Sequence, residues 1–304
     1  MKKNDEEFII VGANYQNNIT PVKKMALWQR WRTKPIVSIF VLAAITLGCI
    51  FAGQLMNHDP TGFYLNHLNE APNTEFYFGT DSLGRDIFSI IWYGGRVSLL
   101  IGFLGTSILT LIGIFYGCMS GTAAKWIDQL LMRLAEMFSS VPNLLIVLLL
   151  LSIVGSPTVF SIAVVIGVTS WVSLARIVRS EVLQIKSSEY ILAARSMGAS
   201  FPQILYKHLL PNFVSTIMFM VVASISNCIM LESTLSFLGL GLPVEVVSWG
   251  SMLSLSNKAL LTNSWWVIVI PGMFIIVTLF CITNIGHYLR NETNKKFSNL
   301  CLLM

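Results

Sequence analysis

Five stretches of this chain carry no Asp, Glu, Lys or Arg and are long enough to cross a bilayer: Pro35 to Met56, Val97 to Ala124, Met137 to Ala175, Leu209 to Leu231, and Ala259 to Leu289. A spanning helix needs about 20 apolar residues, because roughly 30 Å of hydrocarbon is crossed at about 1.5 Å per residue. The third stretch has 39 residues, with Gly155, Ser156 and Pro157 near its middle. Glycine and proline interrupt a helix, so this stretch predicts a hairpin of two helices. The pattern as a whole predicts an all-α integral membrane protein of six transmembrane helices.

Two polar connections carry local signals. After the first span, Thr80-Asp81-Ser82-Leu83-Gly84-Arg85-Asp86 begins like a capped helix, with Thr80 or Asp81 accepting from free amides of the first turn. Leu83, Ile87, Ile90 and Ile91 then share one face, which predicts a short helix on the membrane surface ended by Gly94 and Gly95. Between the fourth and fifth spans, Ser188 can cap a helix starting at Glu189, and Gly198 is placed to end it in a left-handed conformation. Ser200 with Gln203 forms a capping box for a second helix, and Pro211 disfavours helical geometry at Leu210. The segment predicts a helix, a tight bend and a second helix. The small side chains of Ala193 and Ala194 suit either docking onto another protein or packing on the chain's own bundle.

Composition supports the spans: 54% of the 304 residues are hydrophobic and 12% charged, against about 25% charged in soluble domains. The net charge of +5 does not signal nucleic acid, because the basic residues flank apolar runs instead of forming one patch. It reports topology. With the N-terminus inside, 17 of the 20 Lys and Arg residues fall on inner segments and only Arg85, Arg96 and Lys258 outside. The positive-inside rule therefore predicts both termini in the cytoplasm, and Trp92, Tyr93, Trp265 and Trp266 fit an outer aromatic belt.

The five cysteines, four of them in apolar runs, suggest no disulfide framework. No His or Cys pair has metal-ligand spacing, so no metal site is expected at His208 or elsewhere. Glu232 stands near the end of a long apolar run and is a candidate for the transport pathway, for a place at the outer interface or for pairing with a neighbour. No Gly-x-x-x-x-Gly-Lys-Ser/Thr loop occurs, so the chain supplies no nucleotide chemistry, and no zinc-protease or serine-nucleophile motif suggests an enzyme. The alternative is an ion-coupled secondary transporter, which should carry ionisable residues at mid-membrane; the second, third and fourth spans have none.

The inner connection resembles the EAA signature of ABC importer permeases in Glu189, Ala193, Ala194, Gly198, Leu210 and Pro211. Within that superfamily the chain is similar to the C-type permease subunits of dipeptide, oligopeptide and nickel transporters. The supporting residues are Gly79-Thr80-Asp81, Gly84-Arg85-Asp86, Ala193-Ala194-Arg195, His208 to Asn212, and Leu231-Glu232 leading to Leu235 to Gly241 and Ser248 to Gly250. The likeness runs from about Pro35 to Arg290.

The resemblance implies the type I ABC importer permease fold. It divides the chain into a cytoplasmic tail over 1–34, a first helix over 35–56, and an outer loop with the surface helix over 57–96. A five-helix permease domain follows over 97–289, with the coupling loop at 187–211 and a cytoplasmic tail over 290–304. It implies that the loop bearing Glu189, Ala193, Ala194, Arg195, Gly198, Leu210 and Pro211 docks on an ATPase. The expected partners are a second homologous permease, two ATP-binding subunits that hold ATP and Mg, and an extracytoplasmic solute-binding protein. The expected setting is the bacterial cytoplasmic membrane.

Overall fold

The computed structural model describes residues 35–155, 157–186, 196–198, 210–243 and 245–301. The first helix, α1 (Ile36–Ile50), is followed by one turn, α2 (Ala52–Leu55). After an irregular loop come α3 (Ile87–Thr122), α4 (Lys125–Ser139), α5 (Asn143–Val154), α6 (Val159–Thr169) and α7 (Val172–Lys186). The remainder is α8 (Leu210–Phe237), the short α9 (Trp249–Leu253) and α10 (Ser256–Leu261), and α11 (Trp266–Cys301). No strand occurs among the described residues.

Three helical segments are long and apolar enough to cross a membrane: Ile87–Thr122, Ile217–Phe237 and Trp266–Glu292. Two further pairs pass the same test as broken spans, α4 with α5 bent by 79° and α6 with α7 bent by 45°. The interruption expected inside the long apolar run is present: α5 ends at Gly155, whose φ is +77°, and α6 starts at Val159 under a Thr158–Ser161 capping box. The bends at Ser140–Pro142 and Ser170–Trp171 are additional to it.

The surface helix expected over Asp81 to Trp92 is corrected. Asp86 caps α3, its carboxylate accepting from the Ser89 amide at 3.0 Å and the Ser89 hydroxyl at 2.6 Å. From there one helix runs unbroken from Ile87 through Gly94 and Gly95 to Thr122. These glycines admit close neighbours instead of ending the helix: a Cβ on Gly95 would stand 2.8 Å from the Trp249 ring. At the other end of the chain, α11 continues past Leu289 to Cys301, where a tail was expected. The N-terminal tail lies outside the described residues.

α3 is the central element, packing against α1, α6, α7 and α8. Gly113, Gly117 and Gly121 fall on one face of α3 at spacing four and receive Leu174, Val178 and Val182 of α7 at the same spacing. Small residues let helix backbones approach closely, which favours association where apolar lipid removes the hydrophobic drive. A Cβ on Gly117 would lie 2.6 Å from the Ala175 carbonyl oxygen, so no larger residue fits this approach. One core centres on this contact with Ile101, Leu109, Ile162 and Ile166; a second joins α1, α3, α9 and α11 through Ile45, Ile91, Trp249 and Ile275.

Candidate transport site

The two unexpected bends meet. Pro142 restricts Val141 to extended geometry and ends α4, while α5 restarts at Asn143. In α6 the Thr169 hydroxyl donates to the Val165 and Ile166 carbonyls at 2.9 and 3.1 Å, a back-bonding that bends helices. The Asn143 side-chain amide then donates to the Ser170 hydroxyl at 3.1 Å, joining one bend to the other.

A cavity of about 370 Å³ opens beside this bond, lined by Ser139, Asn143, Thr169 and Ser170 from the bends and by Ser224 and Asn227 of α8. Interrupted backbone within a membrane is tolerated where it is buried in protein or lines a water-filled space, and broken helices of this kind build substrate sites in transporters. The polar lining is neutral. It offers hydroxyls and carboxamides, each able to donate and accept, but no fixed charge. Sequence reasoning missed Asn143, Ser170 and Asn227; Pro142 inside an apolar run was the signal that could have found them.

Glu232 is fully buried outside that lining. Its carboxylate accepts from Ser248 at 2.7 Å, Ser236 at 2.9 Å and Ser98 at 3.1 Å. The Trp249 amide donates to the same Ser98 hydroxyl at 3.2 Å. Hydroxyls from α3, α8 and the cap of α9 thus satisfy the carboxylate without a cation, and the group ties these elements together.

Gly79, Thr80, Asp81, Gly84, Arg85 and Asp86, expected on an outer loop, form one buried knot before α3. Asp81 accepts from the Leu83 and Arg85 amides at 2.8 and 3.0 Å and from Arg85 Nε at 2.8 Å. Asp81 and Arg85 are therefore paired four residues apart, in a loop and not on a helix. Gly84 adopts φ +76° and lies against the Tyr64 backbone, where a Cβ would be 2.3 Å from the carbonyl oxygen. Trp266 Nε1 donates to the Thr80 carbonyl at 3.1 Å, anchoring the knot to the start of α11. The loop exposes the apolar Phe63, Leu65, Leu68 and Tyr77 beside polar residues such as Asp59, Asn66, Asn73 and Glu75.

At the opposite end of α3, Arg179 of α7 holds Asp128 of α4 through one edge of its guanidinium, with Nη2 at 2.6 Å from Oδ2 and Nε bonded to Oδ1. Ser120 of α3 donates to the same carboxylate. Lys186, the last residue of α7, donates to the Thr122 carbonyl at 3.3 Å and so covers the end of α3. This cluster stands immediately before the expected coupling loop. Of that loop, Glu189, Ala193, Ala194 and Arg195 lie outside the described residues. Gly198 has φ +85°, a conformation that favours glycine. Leu210 opens α8 with Pro211 in its first turn, where the missing N–H leaves no bond unmade. No group of three or more His, Cys, Asp or Glu disposed to hold a metal occurs among the described residues.

Residues 111–294 match the family described as "Binding-protein-dependent transport system inner membrane component". The oligopeptide transport system permease protein OppC of Bacillus subtilis (strain 168) is 36% identical over 90% of this chain and 91% of its own length. The dipeptide transport system permease protein DppC of the same strain is 34% identical over 96% and 93%. OppC of Haemophilus influenzae is 37% identical, covering 89% of each chain. Among solved structures, an amino acid ABC transporter crystallised with histidines aligns at TM-score 0.49 and 18% identity over 67% of this chain and 94% of that one, a likeness from which nothing about function follows. With a family match across more than half its length and such relatives nearly end to end, the chain belongs to the binding-protein-dependent ABC importer permeases.

Proposed function

We propose that this permease forms half of a translocation pathway for peptides and that Asn143, Ser170, Ser224 and Asn227 line it. The observation that carries the reading is the cavity at the junction of two broken spans, whose polar groups are all uncharged and stand among apolar ones such as Leu109 and Ile146. A peptide backbone presents a donor and an acceptor at every residue whatever its side chains. Hydroxyls and carboxamides complement that repeating pattern, and a lining without fixed charge does not select for side-chain charge. The relatives named for oligopeptides and dipeptides support the same substrate class.

The chain spans the membrane six times in this reading, through α1, α3, the two halves of the run 137–175, α8 and α11, with both termini in the bacterial cytoplasm; α4 and α7 leave the membrane at Glu136 and Arg176. The 17 to 3 division of Lys and Arg supports that orientation. A second permease completes the pathway, a solute-binding protein delivers substrate outside, and two cytoplasmic subunits bind ATP and Mg and hydrolyse the nucleotide. The loop at 187–211 docks on one of them through Glu189, Ala193, Ala194 and Arg195, with Gly198 setting its bend. Nucleotide-driven movement of that loop reaches α7 directly, and the Asp128–Arg179 pair passes it to α3 and α4.

Reconstitution with the partner subunits tests the reading. Uptake of labelled tripeptides should require ATP and persist when ion gradients are collapsed. Gradient-driven uptake without nucleotide would favour a secondary transporter, and ATP-driven uptake of nickel but not peptide would change the substrate class. In a cysteine-free background, an impermeant maleimide should label Lys258→Cys from outside and leave Lys186→Cys unmodified; the reverse would overturn the orientation.

A further inference from the structure

A second polar cavity, of about 690 Å³, lies between α4 and α7 and is lined by Gln129, Arg133 and Glu136 of α4 and Arg176 and Arg179 of α7, together with Leu130 and Met132. Its position relative to the bilayer is legible in the sequence. Glu136 and Arg176 are the two charged residues that immediately flank the 39-residue uncharged run. A hairpin of two spans returns the chain to the side from which it left, so both residues stand at one membrane boundary. The cavity is therefore at headgroup level.

Its charge is unbalanced toward cations. Asp128 occupies two of the five guanidinium donors of Arg179, and Glu136 accepts one bond from Arg133 at 3.1 Å. Arg176 has no bonded partner among the described residues. Three guanidiniums thus face two carboxylates, with Arg176 wholly uncommitted and its two neighbours retaining unused donors. Guanidinium forks match phosphate oxygens in geometry and charge.

The surface beside the cavity is apolar. Trp126, Leu130 and Leu134 follow one another at spacing four along α4 and are 68%, 53% and 50% exposed. Leu130 belongs to this stripe and also lines the cavity, so the arginine cluster and the apolar stripe are continuous. A free anion would satisfy the arginines and leave the stripe bare. A phosphate headgroup carrying acyl chains satisfies both.

We propose that this cavity binds the headgroup of an anionic phospholipid, with Arg133 and Arg176 holding the phosphate and the Trp126–Leu130–Leu134 stripe holding an acyl chain. The site rests on the hairpin reading of the apolar run but not on any transport activity. An occupant here would brace the α4–α7 contact beside the Asp128–Arg179 pair, at the base of the proposed coupling loop.

The test uses the purified transporter complex and reads lipid retention by native mass spectrometry. The complex is exchanged into mixtures of phosphatidylglycerol with phosphatidylcholine and, separately, challenged with inorganic phosphate. Wild type should retain phosphatidylglycerol in preference to phosphatidylcholine, and inorganic phosphate should not displace it. A basic residue near an anionic surface contributes enough that Arg176→Gln should weaken retention about fivefold, and Arg133→Gln with Arg176→Gln about thirtyfold. Both side chains are exposed or paired only at the surface, so the variants should fold. Phosphatidylglycerol brominated in its chains should quench the fluorescence that Trp126→Phe removes, a measurement on the unmutated arginines. Equal retention of the two lipids, unchanged retention in the double variant, displacement by phosphate alone, or loss of the lipid whenever the ATP-binding subunits are present would each overturn the proposal. The last would assign the arginines to a protein contact. Failure of peptide uptake with lipid retention intact would count against the transport reading and not against this site.

Discussion

The side-chain amide of Asn143 donates to the hydroxyl of Ser170 across 3.1 Å, and this one bond joins the break between α4 and α5 to the break between α6 and α7. Each break alone is a helix interrupted within the apolar run. Together they leave polar groups facing a shared cavity, which one straight helix could not do.

Asn143→Leu and Ser170→Ala each remove one partner of that bond. A neutral hydrogen bond contributes about 1 kcal/mol net, so each variant should lose roughly fivefold in peptide uptake if the bond holds the cavity's shape. The double variant should lose little more than either single one, since the same bond is broken. Uptake in proteoliposomes at equal membrane abundance measures this, and strictly additive losses would place the two residues in separate roles.

The Asp128–Arg179 pair is two-pronged and largely shielded, with Asp128 7% exposed. Arg179→Gln or Asp128→Asn leaves the other charge without its partner and should cost about 1–3 kcal/mol. Removing both charges should cost less than the sum. Arg179→Lys should rescue only in part, because an ammonium cannot make the paired contact. Thermal unfolding in detergent, arranged as a double-mutant cycle, reads the coupling.

Gly117→Ala should destabilise the helix pair by about 1–3 kcal/mol, because the new Cβ meets the Ala175 carbonyl and Val178 and the backbones must separate. Gly53→Ala is the control, with nothing within 4 Å of its Cβ. A lowered melting temperature for the first and none for the second is the expected result.

Glu232→Ala should be destabilising by about 1–3 kcal/mol, since it removes the shared acceptor of buried serine hydroxyls. Glu232→Gln retains one acceptor oxygen and should keep most of the stability and the uptake. Uptake lost in Glu232→Gln at full stability would assign the carboxylate to the pathway instead.

Asp86→Ala removes the cap of α3 and should cost about 1–2 kcal/mol. Asp86→Asn or Asp86→Ser should restore much of it, as measured by thermal unfolding.

Much of this protein is decided locally and is therefore legible in its sequence. The uncharged runs mark the segments apolar enough to cross a membrane, and Gly155 interrupts the longest of them, because burying charge in lipid and continuing a helix through such a residue are both costly wherever the chain goes next. The family likeness rests on short motifs such as Gly79-Thr80-Asp81, Gly84-Arg85-Asp86 and Leu210-Pro211, which need no tertiary context to be read. Other features depend on which helices meet. Gly94 and Gly95 look like a stop and are a close contact with Trp249, because a glycine's role is set by what approaches it. Asp81 and Arg85 have helical spacing but pair within a loop, since Asp86, one residue further on, is the group whose carboxylate reaches the free amides of α3. Glu232 is the one carboxylate in its run, and the serines that satisfy it include Ser248 on the next helix cap and Ser98, 134 residues earlier in the chain. Asn143 with Ser170 and Asp128 with Arg179 are likewise distant in sequence and adjacent in space. Hydrophobic periodicity records what each segment must bury, but not which polar groups the packing will bring face to face.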